Sequence, residues 1–208
     1  PCIIFLISII NGDLSLTLFT LPENNYRAIQ LILGISSSPA LLANLSATSI
    51  SREGSTFWET RVLPVSSWDN IRARIMTTIV INLLASFILG ILIVILLRIQ
   101  PYLFLPGVFF ILTLTLFLAT IDLIINIYRP YLNWTNPTTA IKNNLNVLLS
   151  FAVRLVPMMI TFGLVSCSSN LGYGNAIVIS GLIFLLLYIL ARKYLKVRMV
   201  KKFEQIII

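Results

Sequence analysis

The chain has 208 residues, of which 58% are hydrophobic and 11% charged, with a formal net charge of +8 and a mean hydropathy of +0.96. So much apolar surface exceeds what one soluble domain of this length buries, and an integral membrane protein is expected. The basic excess does not describe a nucleic-acid partner, because lysine and arginine recur at the ends of long apolar runs rather than on one folded face.

Histidine is absent, which removes the commonest general base and the commonest metal ligand. Cys2 and Cys167 carry no metal-ligand or redox spacing, and nothing matches G-x-x-x-x-G-K-[ST], the loop whose backbone N–H groups cradle phosphate. No metal, cofactor or ATP site is therefore expected in this chain.

In chain order, the run PCIIFLISII at residues 1–10 opens without Met or a basic flank. It reads as the remnant of a transmembrane span, and the chain as the C-terminal portion of a longer protein. A crossing helix needs about 20 mainly apolar residues. On that template the first complete span is 27–50, whose small and weakly polar residues (Ser36, Ser37, Ser38, Pro39, Asn44, Thr48) suit either helix packing or the lining of a path.

The next stretch, SREGSTFWETRVLPVSSWDNIRARI at 51–75, is a charged island carrying Arg52, Glu53, Glu59, Arg61, Asp69, Arg72 and Arg74. Gly54 permits a sharp turn, Thr56 with Glu59 spells a capping box for a short helix, and Pro64 stops that helix. Ser66 and Asp69 spell a second box, from which IRARIMTTIV leads into the following span. A short helix–turn–helix element is expected. On charge alone the island is a solvated re-entry loop. Trp68 suits the interfacial belt; Trp58 suits either the belt or a protein contact.

Four further spans are expected at 77–97, 102–127, 145–167 and 175–191, giving an all-α polytopic bundle of five complete spans plus the remnant. Asp122 and Arg154 fall inside spans joined by the 128–144 connection. They either pair or snorkel separately, since both arrangements relieve a charge in hydrocarbon. The region 1–191 reads as the membrane unit and 192–208 as a basic tail. The tail RKYLKVRMVKK is either a topology anchor or a binder of acidic lipid.

Orientation follows from the basic residues. Arg52, Arg61, Arg72 and Arg74 of the island, Arg129 and Lys142 of the connection, and Arg192, Lys193, Lys196, Arg198, Lys201 and Lys202 of the tail all fall on one side. Arg27 and Arg98 fall on the other, so the island, the connection and the C-terminus are expected to be cytoplasmic.

Two blocks carry a family resemblance. SREGSTFWETRVLPVSS resembles the "SREG, then FW, then LP-hydrophobic-S" segment of bacterial ABC transporter permeases of the type-2 exporter class. IDLIINIYRPYLNWTNPTTAIKNNLNVLLS is similar to a later signature of the same family, with Arg129, Pro130, Asn133, Trp134, Lys142 and Asn144 at matching positions. The resemblance covers roughly residues 27–191. It implies a multi-pass permease of the bacterial plasma membrane that alternates between inward-open and outward-open states. A separate ABC ATPase subunit, holding ATP and Mg, would power it, and the membrane unit would be a dimer of halves or a homo-oligomer. By similarity the ATPase would meet the island at Arg52, Glu53, Gly54, Phe57, Trp58, Glu59, Arg61, Leu63 and Pro64. Arg61 stands where the family often has lysine, which keeps the charge and changes the geometry.

An ion-coupled secondary transporter is the competing class, and it asks for intramembrane carboxylates and broken helices. A membrane-embedded enzyme asks for clustered catalytic side chains, which the spans lack. A non-transporting scaffold subunit is the remaining alternative. None of these readings names a cargo.

Overall fold

The structure is a computed structural model that describes residues 33–96, 104–136, 138–142, 144–166 and 173–206. All regular structure among these is helical: α1 (Ser38–Leu42), α2 (Phe57–Val62), α3 (Ser67–Leu96), α4 (Leu105–Tyr128), α5 (Thr139–Lys142), α6 (Leu145–Ser166), α7 (Tyr173–Tyr194) and α8 (Val200–Glu204). A π-helical segment, Leu195–Met199, joins α7 to α8, and short 3₁₀ turns occupy Ser46–Thr48 and Gly54–Thr56. Among the described residues, four stretches are long and apolar enough to cross a membrane: Ser67–Leu96, Leu105–Tyr128, Thr139–Leu164 and Gly174–Glu204.

Within these helices several hydroxyls bond the preceding turn, which suits a medium without water, although the buried Asn82 Oδ1 and Ser86 Oγ on α3 have no hydrogen-bond partner among the described residues. Thr115 donates to the Ile111 carbonyl at 2.7 Å, Thr120 to the Leu116 carbonyl at 2.8 Å and Ser180 to the Ala176 carbonyl at 2.9 Å. Helix α4 is central, packing against α3, α6 and α7. Its contact with α7 is close because Gly181 presents no side chain there: a Cβ at that position would sit 2.7 Å from the Phe109 ring. Outward, α3 and α6 expose Ile88, Ile95, Leu148 and Phe162, which suits contact with lipid.

The expected span 27–50 is not a continuous helix over its described part, 33–50. The helix is interrupted at Ser37, α1 ends at Leu42, and Ala43 is extended at φ −85°, ψ 112°. Pro39 is one cause, since it lacks the N–H that would bond the Ile35 carbonyl; the Ser38 hydroxyl bonds that carbonyl instead, at 2.7 Å. Residues 1–10 and 27–32, with Cys2, Cys167, Arg27 and Arg98, lie outside the described residues.

Two other helices are longer than the apolar windows implied. Helix α3 has 30 residues, about 45 Å at 1.5 Å per residue, against a hydrocarbon layer of about 30 Å. It starts at Ser67, where the Ser66 hydroxyl accepts the Asp69 N–H at 3.1 Å, so the second expected cap is formed. The first is not: Thr56 makes no side-chain cap for α2, its hydroxyl donating back to the Glu53 carbonyl at 2.8 Å. Past residue 191 the helix continues to Glu204 and buries Leu195, Met199 and Phe203 in the core.

Candidate functional site

The three basic segments meet at one end of the bundle, and the contacts that join them centre on Ser51 and Asn126. The Asn126 side chain on α4, fully buried, accepts the Ile50 N–H at 2.7 Å through Oδ1 and donates to the Ser51 hydroxyl at 2.7 Å through Nδ2. That hydroxyl also accepts the Tyr131 N–H at 3.0 Å, and the Trp134 indole N–H donates to the Ser51 carbonyl at 2.6 Å. The first signature block is thus hydrogen-bonded to the second. Gly54 completes the fit, with φ +54° and the Trp134 ring against it; a Cβ there would lie 2.5 Å from Cζ2. Only glycine meets both conditions without strain.

A second tie runs to α3. Arg74 donates to Glu53 at 2.5 Å and to the Ser49 carbonyl at 2.9 Å, and Thr60 donates to the other Glu53 oxygen at 2.8 Å. With both partners mostly buried, this pair is better shielded than the exposed Arg72–Asp69 contact at 3.8 Å, which contributes little.

The third tie is to the C-terminus. Phe57 packs edge-on against Phe203 with ring centroids 5.6 Å apart. Arg61 donates to carbonyls at and just past the end of α8, Glu204 at 2.5 Å and Ile206 at 3.0 Å. A cation there complements the negative end of a helix.

Of the residues proposed for a partner, the structure therefore divides two sets. Phe57 is 0% exposed and Gly54 lies under Trp134, so neither is free to touch a partner: the aromatic anchor expected at Phe57 is a core residue. Glu53 and Arg61 are committed largely to internal bonds. Arg52 is exposed apart from one bond to the Leu45 carbonyl at 3.1 Å, while Trp58 is 57% exposed and Glu59, Leu63 and Pro64 are also outward.

In the later block, Trp134 touches the island beside Asn126 and Tyr131. Arg129 and Asn133 are exposed, Pro130 follows Arg129 as α4 ends, and Lys142 closes α5. Asn144 is a helix cap, its side-chain oxygen accepting the Asn146 N–H at 3.0 Å at the start of α6. Asn146 in turn donates to the Arg129 carbonyl at 2.6 Å, fixing the connection to α6.

Deeper in the bundle, Asp122 on α4 and Arg154 on α6 form a bidentate pair, Nη2 to Oδ2 at 2.5 Å and Nη1 to Oδ1 at 3.0 Å, with exposures of 1% and 2%. The sequence left pairing open, and the structure brings the two together. Ser150 bonds both partners, and Arg154 Nη2 also donates to the Ala43 carbonyl at 3.1 Å. That carbonyl is free because the chain leaves helix at Ala43. The broken segment and the ion pair are thus one structure: the guanidinium supplies the donor that a continuing helix would have supplied.

Ser51, Asn126 and Arg74 hold the site together, yet sequence reasoning did not single them out as site residues. Asn126 was visible as a polar side chain within the apolar run IDLIINIY, where it must find a partner. Compared with family models, with curated proteins and with solved structures, the chain matches none.

Proposed function

We propose that this chain is the membrane permease subunit of an ATP-driven exporter, moving substrate by alternating access in a bacterial plasma membrane with its C-terminus cytoplasmic. A separate ATPase subunit would dock on the island, with Trp58 as anchor and Arg52, Glu59, Leu63 and Pro64 around it. The observation that carries this reading is mechanical. Helix α2 presents an exposed aromatic outward while the island holding it is hydrogen-bonded to α3 through Glu53–Arg74, to α4 through Ser51–Asn126 and to α8 through Arg61, with Phe57 packed on Phe203. A load on α2 would reach three helices together, which a solvated loop would not do. The resemblance of the two signature blocks supports the same assignment.

The test is co-purification of the full chain from its native membrane. An ATPase with a P-loop should co-elute, and Trp58→Ala should reduce its recovery while membrane insertion stays intact. Equal recovery with the variant would remove the island from the interface.

A second reading, ion-coupled transport, draws on one specific observation. The helix broken between Ser37 and Asn44 is linked through Arg154 and Ser150 to a buried carboxylate, Asp122, and ion sites at broken helices use such groups. Bidentate engagement of Asp122 by Arg154 weighs against it, because the carboxylate is already neutralised. Uptake driven by an imposed ion gradient without ATP would favour this second reading.

A further inference from the structure

At the island end, beside α7 and α8, a cleft of about 740 Å³ is lined by Tyr128, Tyr194, Met199, Arg198, Lys201 and Lys202. We infer that this cleft binds the phosphate of an anionic phospholipid.

Its depth is the first argument. The stretch Gly174–Glu204 has 31 residues, about 46 Å of helix, so roughly its last ten residues extend past a hydrocarbon layer of about 30 Å. Its register is the second. Leu195, Met199 and Phe203, four residues apart, are buried in the core. Tyr194, Arg198, Lys201 and Gln205 therefore share another face, at spacings of four, three and four residues.

Chemistry is the third argument. Arg198 and Lys201 have no ion-pair partner among the described residues. The hydroxyls of Tyr128 and Tyr194 are 2.5 Å apart; one phenol proton serves that bond, leaving the other to donate to an anion. Lys202 lies over the Tyr128 ring at 3.6 Å from its centroid, which orients the phenol and adds positive charge. Exposed Val197 at the cleft lies on the same side of the helix as Leu186 and Leu190, which are exposed on α7, where acyl chains would lie. A phosphate with hydrocarbon attached fits this combination better than a soluble anion does, since a soluble anion has no use for the apolar side. Basic clefts between helices at the membrane surface have this chemistry in general.

The experiment uses the full chain reconstituted in phosphatidylcholine containing graded phosphatidylglycerol, with lipid retention counted by native mass spectrometry. Arg198→Gln with Lys201→Gln should lower retention of phosphatidylglycerol about 25-fold, roughly fivefold for each charge, and leave phosphatidylcholine unchanged. Arg72→Gln with Lys193→Gln removes two charges elsewhere at the same end and should change it little. Tyr128→Phe with Tyr194→Phe keeps every charge and should still lower retention about tenfold by removing hydroxyl donors to an anion. Equal losses in the two charge-removing pairs would reduce the cleft to a diffuse topology anchor and overturn the site. Displacement of the lipid by an equal concentration of inorganic phosphate would assign the cleft to a soluble anion and overturn the lipid.

Discussion

Replacing Arg154 with Met leaves Asp122, 1% exposed, facing no counter-charge. Breaking one side of a buried pair destabilises by about 3–5 kcal/mol, and Asp122→Leu alone should fall in the same range because it strands the guanidinium. The double variant removes both charges. It does not return to wild type, since the Ala43 carbonyl loses its guanidinium donor while the Ser150 hydroxyl keeps a bond to Asn44 at 3.4 Å; an orphaned buried polar group costs about 1–3 kcal/mol. The expected loss for the double is therefore roughly 1–3 kcal/mol, well below the roughly 6–10 kcal/mol that the summed single losses would give. Equilibrium unfolding of the full chain in mixed micelles measures all three variants. Additive losses would refute the pair as a coupled unit.

Gly54→Ala should destabilise by about 2–4 kcal/mol, combining left-handed backbone strain with overpacking against Trp134, and a thermal shift near zero would show that Trp134 moves aside freely. Asn126→Leu should cost about 2–4 kcal/mol by stranding the buried Ile50 N–H and the Ser51 side chain, while Asn133→Leu on the exposed connection should stay within about 0.5 kcal/mol; equal losses would deny Asn126 its central place. In a background with Cys2 and Cys167 changed to Ser, cysteines at Ser55 and at Lys201 should both resist a membrane-impermeant reagent in intact cells. Reaction at either position would invert the orientation.

The long apolar runs were legible because hydropathy alone reports them, and the start of α3 was legible because Ser66 and Asp69 form a cap from local sequence. The break at 37–44 was not. An averaged apolar window scores Pro39 and Asn44 as tolerable interruptions, and only the tertiary partner Arg154 stabilises the carbonyl that the break exposes. Thr56 and Glu59 have capping spacing, but the 3₁₀ turn at Gly54–Thr56 directs the Thr56 hydroxyl backward to Glu53. Phe57 and Trp58 are neighbours on one short helix, about 100° apart around its axis. Which of them faces inward depends on Phe203, which lies 146 residues further along. One signal was available and unused: Leu195, Met199 and Phe203 recur every fourth residue through the basic tail, the pattern of a helix with one buried face.

The central claim is that the exposed side of α2 meets an ATPase. The most direct measurement places a photo-cross-linking amino acid at Trp58 in the full chain, irradiates intact membranes, and identifies the adduct by mass spectrometry. The account predicts a cross-link to a P-loop ATPase subunit that disappears when the same probe replaces buried Phe203. Cross-linking from residue 58 only to lipid, in membranes where the ATPase is present and active, would contradict it.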